Sequence, residues 1–341
     1  MTTARDLWEA LAQRDAVRVA ALDPLLDPRA GTRPGSRDDG GVVLEDARGV
    51  VLGLARQAPA ASVWTAPRGH SLSLARSADH AAEEVDRAVG EVLDRWEAEV
   101  LLPDREAGEA TTVASVSVSA LDDDVVAPLV ARHFGRAVVL AVRRVRDGDA
   151  EEPAQAPAGG GVVVRPATTA DAGAVGAATV AVHRADRAYG FVPWLADLEE
   201  RLADGVAAEL GAAPGWTWVA QRDGAVVGVC QVEPPDRAAW ITGATTAGPA
   251  AYLGLLHVDP TARGAGVGRA LVASARARCV REGVATVLLH HAAASPRSAP
   301  FWAREGYRPL LTTWSRRPAV RPAVRPVVRP VPGADTTGRG T

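Results

Sequence analysis

The sequence predicts an α/β protein built on a mixed α+β sheet and divided into two halves of similar size. Three observations predict it. The length of 341 residues exceeds a single core of usual size. An acidic, Pro- and Gly-bearing stretch lies near the middle, and the second half alternates strand and helix patterns as β-α-β-β-β-α-β-α-β. The apolar fraction of 47% is ample for packed cores, and 23% charged residues with a net charge of −3 demand neither a nucleic-acid nor a membrane partner. All 38 basic side chains are Arg, which excludes a P-loop lysine and a Schiff-base lysine. The two cysteines, Cys230 and Cys279, form no Cys-x-x-Cys pair or zinc spacing, so no metal is expected and a reducing cytoplasm is the natural compartment. Met1 to Ala12 lacks the apolar core of a signal peptide, and no run of 18 apolar residues exists to span a bilayer.

The central stretch, residues 147–161, reads as a flexible linker between a first domain, 1–146, and a second, 162–315. From Arg316 to Thr341 repeated Arg-Pro-Ala-Val and Arg-Pro-Val-Val units block helix and central strand alike, predicting a disordered tail. In the second half Val162–Val164 is a short strand, and Asp171 to Arg187 suits a helix opening at Thr168 or Thr169. Thr217 to Glu233 reads as two strands around Arg222-Asp223-Gly224, and Tyr252 to Val258 as a third. A helix from Val267 to Glu282 closes at Gly283. Val284 to His290 is a buried strand, Pro300 to Arg304 a short helix, and Leu310 to Trp314 a last strand.

The first half repeats the second. Gly49-Val50-Val51-Leu52-Gly53 aligns with Gly224-Ala225-Val226-Val227-Gly228 at an offset of 175, and Ala127-Pro128 with Ala299-Pro300 at an offset of 172. Trp64 and Trp240 fall between these matches.

The chemistry concentrates at Arg263-Gly264-Ala265-Gly266-Val267-Gly268, a glycine loop between a strand and a helix. Such a loop turns several backbone N–H groups, and the positive end of the helix dipole, toward one anion. The Rossmann spacing is absent, because the third glycine is one position early. What the run Arg263-x-x-Gly266-x-Gly268, preceded by Leu-His-Val-Asp-Pro, does resemble is the coenzyme motif of the GNAT acyltransferases. Phe301-Trp302-Ala303-Arg304-Glu305-Gly306-Tyr307 resembles that family's second signature. The resemblance covers residues 162–314 and, with the duplication, implies tandem GNAT-like domains similar to those of actinobacterial mycothiol-synthase-like enzymes.

The resemblance implies acetyl-CoA or another acyl-CoA as cosubstrate. Its pyrophosphate would lie on Arg263 to Arg269, and its pantetheine along a bulged strand holding Leu256, His257 and Val258. It implies direct attack by a small-molecule or peptide amine, with Ser295 at a position that bonds the pantetheine amide. Trp302 stands where the family often has Tyr, and indole donates a hydrogen bond but cannot act as an acid. Tyr307 takes the motif's terminal aromatic place, where packing is the expected role. His290 and His291 end a strand and face opposite sides of it, so one of them is either an acid–base group or structural; His257 is read as structural. Glu233, at a strand end, either accepts the amine proton through water or is a solvated carboxylate. Tyr189, Phe191 and Trp194 either build the acceptor pocket or pack between helices.

In the first half the matching loop, Ser77 to Asp86, has no glycine and carries Asp79, Glu83, Glu84 and Asp86, which would repel pyrophosphate. The first copy is therefore expected to be degenerate and structural. The expected activity is acetyl transfer to an amine in the second half; the alternative is an acyl-CoA-binding sensor or scaffold.

Overall fold

The computed structural model describes residues 4–28, 30, 41–58, 68–104, 108–109, 111–150, 161–190, 192 and 206–320. The first half runs α1 (Ala4–Leu22), β1 (Val42–Glu45), β2 (Val51–Ala58), β3 (Arg68–Arg76), α2 (Ala82–Trp96), β4 (Thr112–Ser119), α3 (Val126–Ala131) and β5 (Gly135–Arg144). The second runs β6 (Val163–Pro166), α4 (Ala172–Ala188), β7 (Thr217–Arg222), β8 (Ala225–Glu233), α5 (Ala239–Thr242), β9 (Ala250–Val258), α6 (Val267–Arg281), β10 (Thr286–Ala292), α7 (Ser298–Arg304) and β11 (Arg308–Arg316). The four-residue α5 is the one of these second-half elements that the sequence reading did not contain.

Local chemistry accounts for the boundaries. α4 is preceded by a capping box in which Thr168 and Asp171 bond each other's backbone, and Arg165 holds Asp171 by two hydrogen bonds of 2.8 Å. The β7–β8 turn places Asp223 and Gly224 both at positive φ, the geometry that matches strand twist in a two-residue hairpin. Gly283, at φ 66°, ends α6 in the left-handed conformation.

All eleven strands join one sheet in the order β1-β2-β3-β4-β11-β5-β10-β9-β8-β7-β6. The final strands of the two halves are exchanged: β5 lies between β10 and β11, and β11 between β4 and β5. Register makes the internal symmetry visible. Ser119 faces Leu311 and Val139 faces His291; adding 172 to Ser119 and Val139 gives His291 and Leu311, so each pair maps onto the other. In β5 the alternation Val139, Ala141 against Leu140, Val142 separates the two faces. One face carries α6 and α7 over the second half and α2 and α3 over the first; the other carries α1, α4 and α5.

Structure extends at two places into segments that composition assigned to linker and tail. Asp147–Ala150 is a 3-10 turn, held because Asp149 pairs with Arg143 at 2.6 Å and lies 3.7 Å from Arg276. Arg316 belongs to β11, donates to the Ala319 carbonyl at 2.6 Å and stacks 4.9 Å over Phe134. The rest of the expected linker and tail, 151–160 and 321–341, lies outside the described residues, as does Trp64.

Candidate active site

β9 creates the site. Its ladder with β8 shifts register between Gln231 and Val232, whose partners are Leu255 and Leu253, so Gly254 is left unpaired as a bulge. On its other edge β9 pairs with β10 only from Ala250 to Tyr252 and then diverges. Asp259 N–H donates to the Val227 carbonyl of β8 at 2.9 Å. By the alternation of an antiparallel ladder, the amides of Leu256 and Val258 therefore point away from β8, into the gap.

At the end of β9 the Arg263 side chain donates to the Val258 carbonyl at 3.0 Å, closing the loop on the strand. Gly264 and Gly266 sit at φ 82° and 79°, and Gly266 begins α6 with no side chain capping its first turn. A Cβ on either glycine would meet nothing within 4 Å, so backbone conformation rather than crowding demands glycine there. Gly268 differs: its added Cβ would lie 3.5 Å from Phe301 and Val258, in ordinary contact.

A cleft of about 1090 Å³ runs along this gap, between α4 on one side and the glycine loop and α7 on the other. Its lining includes Arg263, Arg269, Arg297 and Arg304 together with the carboxylates of Asp186, Asp259 and Glu305. Further back along β9, past Gly254, a second cluster lies outside the cleft lining. Glu233 faces Tyr252 across the β8–β9 ladder and accepts a hydrogen bond from Trp240 Nε1 at 2.8 Å. The Trp240 ring meets Tyr252 edge-on at 4.8 Å and stacks toward His290 at 6.3 Å, while Tyr252 OH lies 3.0 Å from His290 Nδ1.

Burial sets the protonation states here. It pushes the Asp186 carboxyl, on the α4 wall, up to about 7. It raises Glu233 as well, aided by Glu209 and opposed by the Trp240 hydrogen bond and Arg237. It lowers His290 to about 4, so that imidazole is neutral at physiological pH. Tyr252 is raised by burial and by the charges of Glu233 and Asp186, so its hydroxyl stays protonated.

Residues 179–307 match the model of the Acetyltransferase (GNAT) family. This region is a GNAT domain. The structure is similar to that of a GCN5-related N-acetyltransferase from Sphaerobacter thermophilus, with a TM-score of 0.56 at 14% identity over 92% of this chain and 93% of that one. A tandem GNAT protein from the clavulanic acid biosynthesis pathway matches with a TM-score of 0.47 at 18% identity, covering 93% of this chain and 97% of its own. No curated protein matches the chain. The likeness to the Sphaerobacter thermophilus protein shows a fold shared by both halves of the sheet.

The GNAT domain gathers most of the residues singled out by sequence. Leu256, His257, Val258, Arg263, Gly264, Gly266, Val267, Gly268, Arg269, Ser295 and Trp302 line the cleft, and Tyr189 does too. Ala265 packs against the core, and the Val267 side chain is buried there, leaving it backbone contact only. Ser295 Oγ is engaged 3.0 Å from Ser298 Oγ at the start of α7. Trp302 is wedged edge-on between Phe301 and Tyr307 at 4.9 and 5.2 Å, with Tyr307 buried in the core as the motif suggested. Glu233 and His290 belong to the cluster beyond the cleft, while His291 turns to the opposite face and bonds the Ala292 carbonyl at 3.1 Å. Phe191 and Trp194 lie outside the described residues. Sequence reasoning missed Asp186, Tyr252 and Trp240 as site residues. The cross-strand partnership of Tyr252 with Glu233 is the one signal that register could have supplied.

The first copy also parts its strands, β3 pairing with β4 only from Arg68 to Leu72, but it lacks the bulge and the glycine loop. β2 and β3 pair without a register shift, and only residues 77–81 separate β3 from α2. Where β3 parts from β4 the space is plugged: Arg76 bonds Asp122 at 2.7 Å and Asp124 at 2.8 Å, and Arg18 bonds Asp122 at 2.8 Å and Asp15 at 2.7 Å. Among the described residues no helix is long and apolar enough to cross a membrane, and no group of three His, Cys, Asp or Glu could hold a metal.

Proposed function

We propose that the GNAT domain transfers an acetyl group from acetyl-CoA directly to a small-molecule or peptide amine. The observation that carries this reading is the glycine cradle set at the end of the free edge of β9, with the cleft running along that edge between α4 and α7. The residues fit the coenzyme. Loop amides and the first turn of α6 take the pyrophosphate, and arginines 263, 269, 297 and 304 favour the phosphates. The amides of Leu256 and Val258 donate to the thioester carbonyl and stabilise the oxyanion that develops on attack.

An alkylammonium must lose a proton before it attacks. Glu233, raised by burial yet beside the path, takes that proton through water, and Asp186 is a second carboxylate poised near neutrality. Trp302 can donate a hydrogen bond to the departing thiolate but not a proton. A thiolate is a weak base, with a thiol pKa of about 8.5, so its departure does not require an acid. Cys230 and Cys279, both buried and unpaired, fit a cytoplasmic setting.

The test is thiol release from acetyl-CoA with a panel of amines, beside calorimetric titration of the coenzyme into wild type and Gly266→Glu. One saturable site lost in Gly266→Glu, with amine-dependent thiol release, is the expected result. Binding without turnover for any amine would leave the sensor reading suggested by Trp302; no binding would overturn both.

A further inference from the structure

Resting on the transferase reading, we infer that the degenerate first copy positions the acceptor site: the strap from Asp23 to Asp27 holds the segment that presents Trp240 to Glu233. Trp240 belongs to α5, a single turn that cannot fix its own orientation, and the segment after it, 243–248, returns to β9. The strap grips that segment at successive residues. Leu26 and Thr245 form an antiparallel bridge, Asp27 N–H donates to the Ala244 carbonyl at 3.1 Å, and Thr246 N–H donates to the Leu25 carbonyl at 3.1 Å. Two hydroxyls add to this, Thr245 Oγ1 to the Leu25 carbonyl at 2.8 Å in a buried setting and Thr246 Oγ1 to the Pro24 carbonyl at 2.7 Å.

The strap is itself fixed to the sheet. Asp23 is buried, caps Leu25 N–H at 2.9 Å, and takes both arms of Arg308 from β11. Leu25 and Leu26 are buried with Ala244, Leu288 and Leu310, and Ile241 and Tyr252 pack against that group. The same apolar cluster thus supports α5 from below and the Tyr252 ring beside it. None of these strap contacts touches the glycine loop, whose anchors are Val258 and α7. Loss of the strap should therefore loosen the acceptor wall while leaving the coenzyme cradle intact.

The experiment compares Thr245→Val, which removes the buried donor, with Thr245→Ser, which keeps it, and adds Leu26→Ala as a second route to the same contact. A net hydrogen bond is worth a factor of about 2 to 10, so Thr245→Val should raise the acceptor KM by about that factor while the acetyl-CoA Kd stays within about twofold. Thr245→Ser should restore the acceptor KM. Amide hydrogen exchange over residues 238–247 should quicken in Thr245→Val and Leu26→Ala, a readout that needs no turnover. Unchanged exchange in both variants overturns the inference whether or not the protein acetylates any amine. Equal losses in acceptor and coenzyme affinity, or a Thr245→Ser variant as impaired as Thr245→Val, overturn it as well. Absence of turnover in wild type with faster exchange in the variants would count against the transferase reading and leave the strap standing.

Discussion

Replacing each glycine of the coenzyme loop by alanine separates two reasons for the same residue type. Gly266 is held at φ 79° with open space around the missing Cβ, so Gly266→Ala introduces left-handed strain and no clash. That strain costs about 1–2 kcal/mol for an L-residue. At about 2–4 °C per kcal/mol for domains of 150–250 residues, Tm should fall by about 2–8 °C. Gly264→Ala, at φ 82° and equally uncrowded, should behave alike. Gly268 is a helical residue at negative φ whose Cβ would sit 3.5 Å from Phe301 and Val258, so Gly268→Ala should leave Tm within about 1 °C of wild type or raise it, since Ala is the better helix former. Gly268 also lines the cleft, and its methyl would stand where the coenzyme approaches the backbone. Its signature is lost acetyl-CoA affinity without lost stability, read by scanning calorimetry and isothermal titration on the same samples. A Gly268→Ala variant that melts as low as Gly266→Ala, or a Gly266→Ala variant as stable as wild type, would refute the division of roles.

Further expectations follow from the charged groups. Glu233→Gln should lower kcat/KM by about 10²–10⁴ and abolish the rise of activity with pH, because the wild-type carboxyl becomes a base only above its raised pKa. Asp186, raised to about 7, favours the folded state when protonated; that contribution is full below the unfolded carboxylate value and is lost as pH climbs through about 7. Asp186→Asn should therefore raise Tm at pH 8 more than at pH 5, measured by thermal melts across that range. Arg76→Ala should cost near the lower end of about 3–5 kcal/mol in urea unfolding, since Arg18 still pairs Asp122. Acetyl-CoA stoichiometry should remain one per chain in that variant.

The sequence by itself determined the elements and one end of the site. Periodicity set the second-half strands and helices, Asp223-Gly224 fixed a hairpin, and the resemblance of Arg263-x-x-Gly266-x-Gly268 to the GNAT motif located the glycine cradle, because these features arise from neighbours within one or two turns of chain. The absence of glycine between Ser77 and Asp86 likewise set the expectation of a first copy that does not hold pyrophosphate. Only the tertiary structure decided that the closing strands of the halves exchange places and that Arg18, Arg76 and Asp122 plug the vacated cleft. It alone brought Asp186, Glu233, Trp240, Tyr252 and His290 together. The bulge at Gly254 shifts the facing of side chains along β9, and burial moves Asp186 toward neutrality. Both effects come from residues distant in sequence, which no local pattern records.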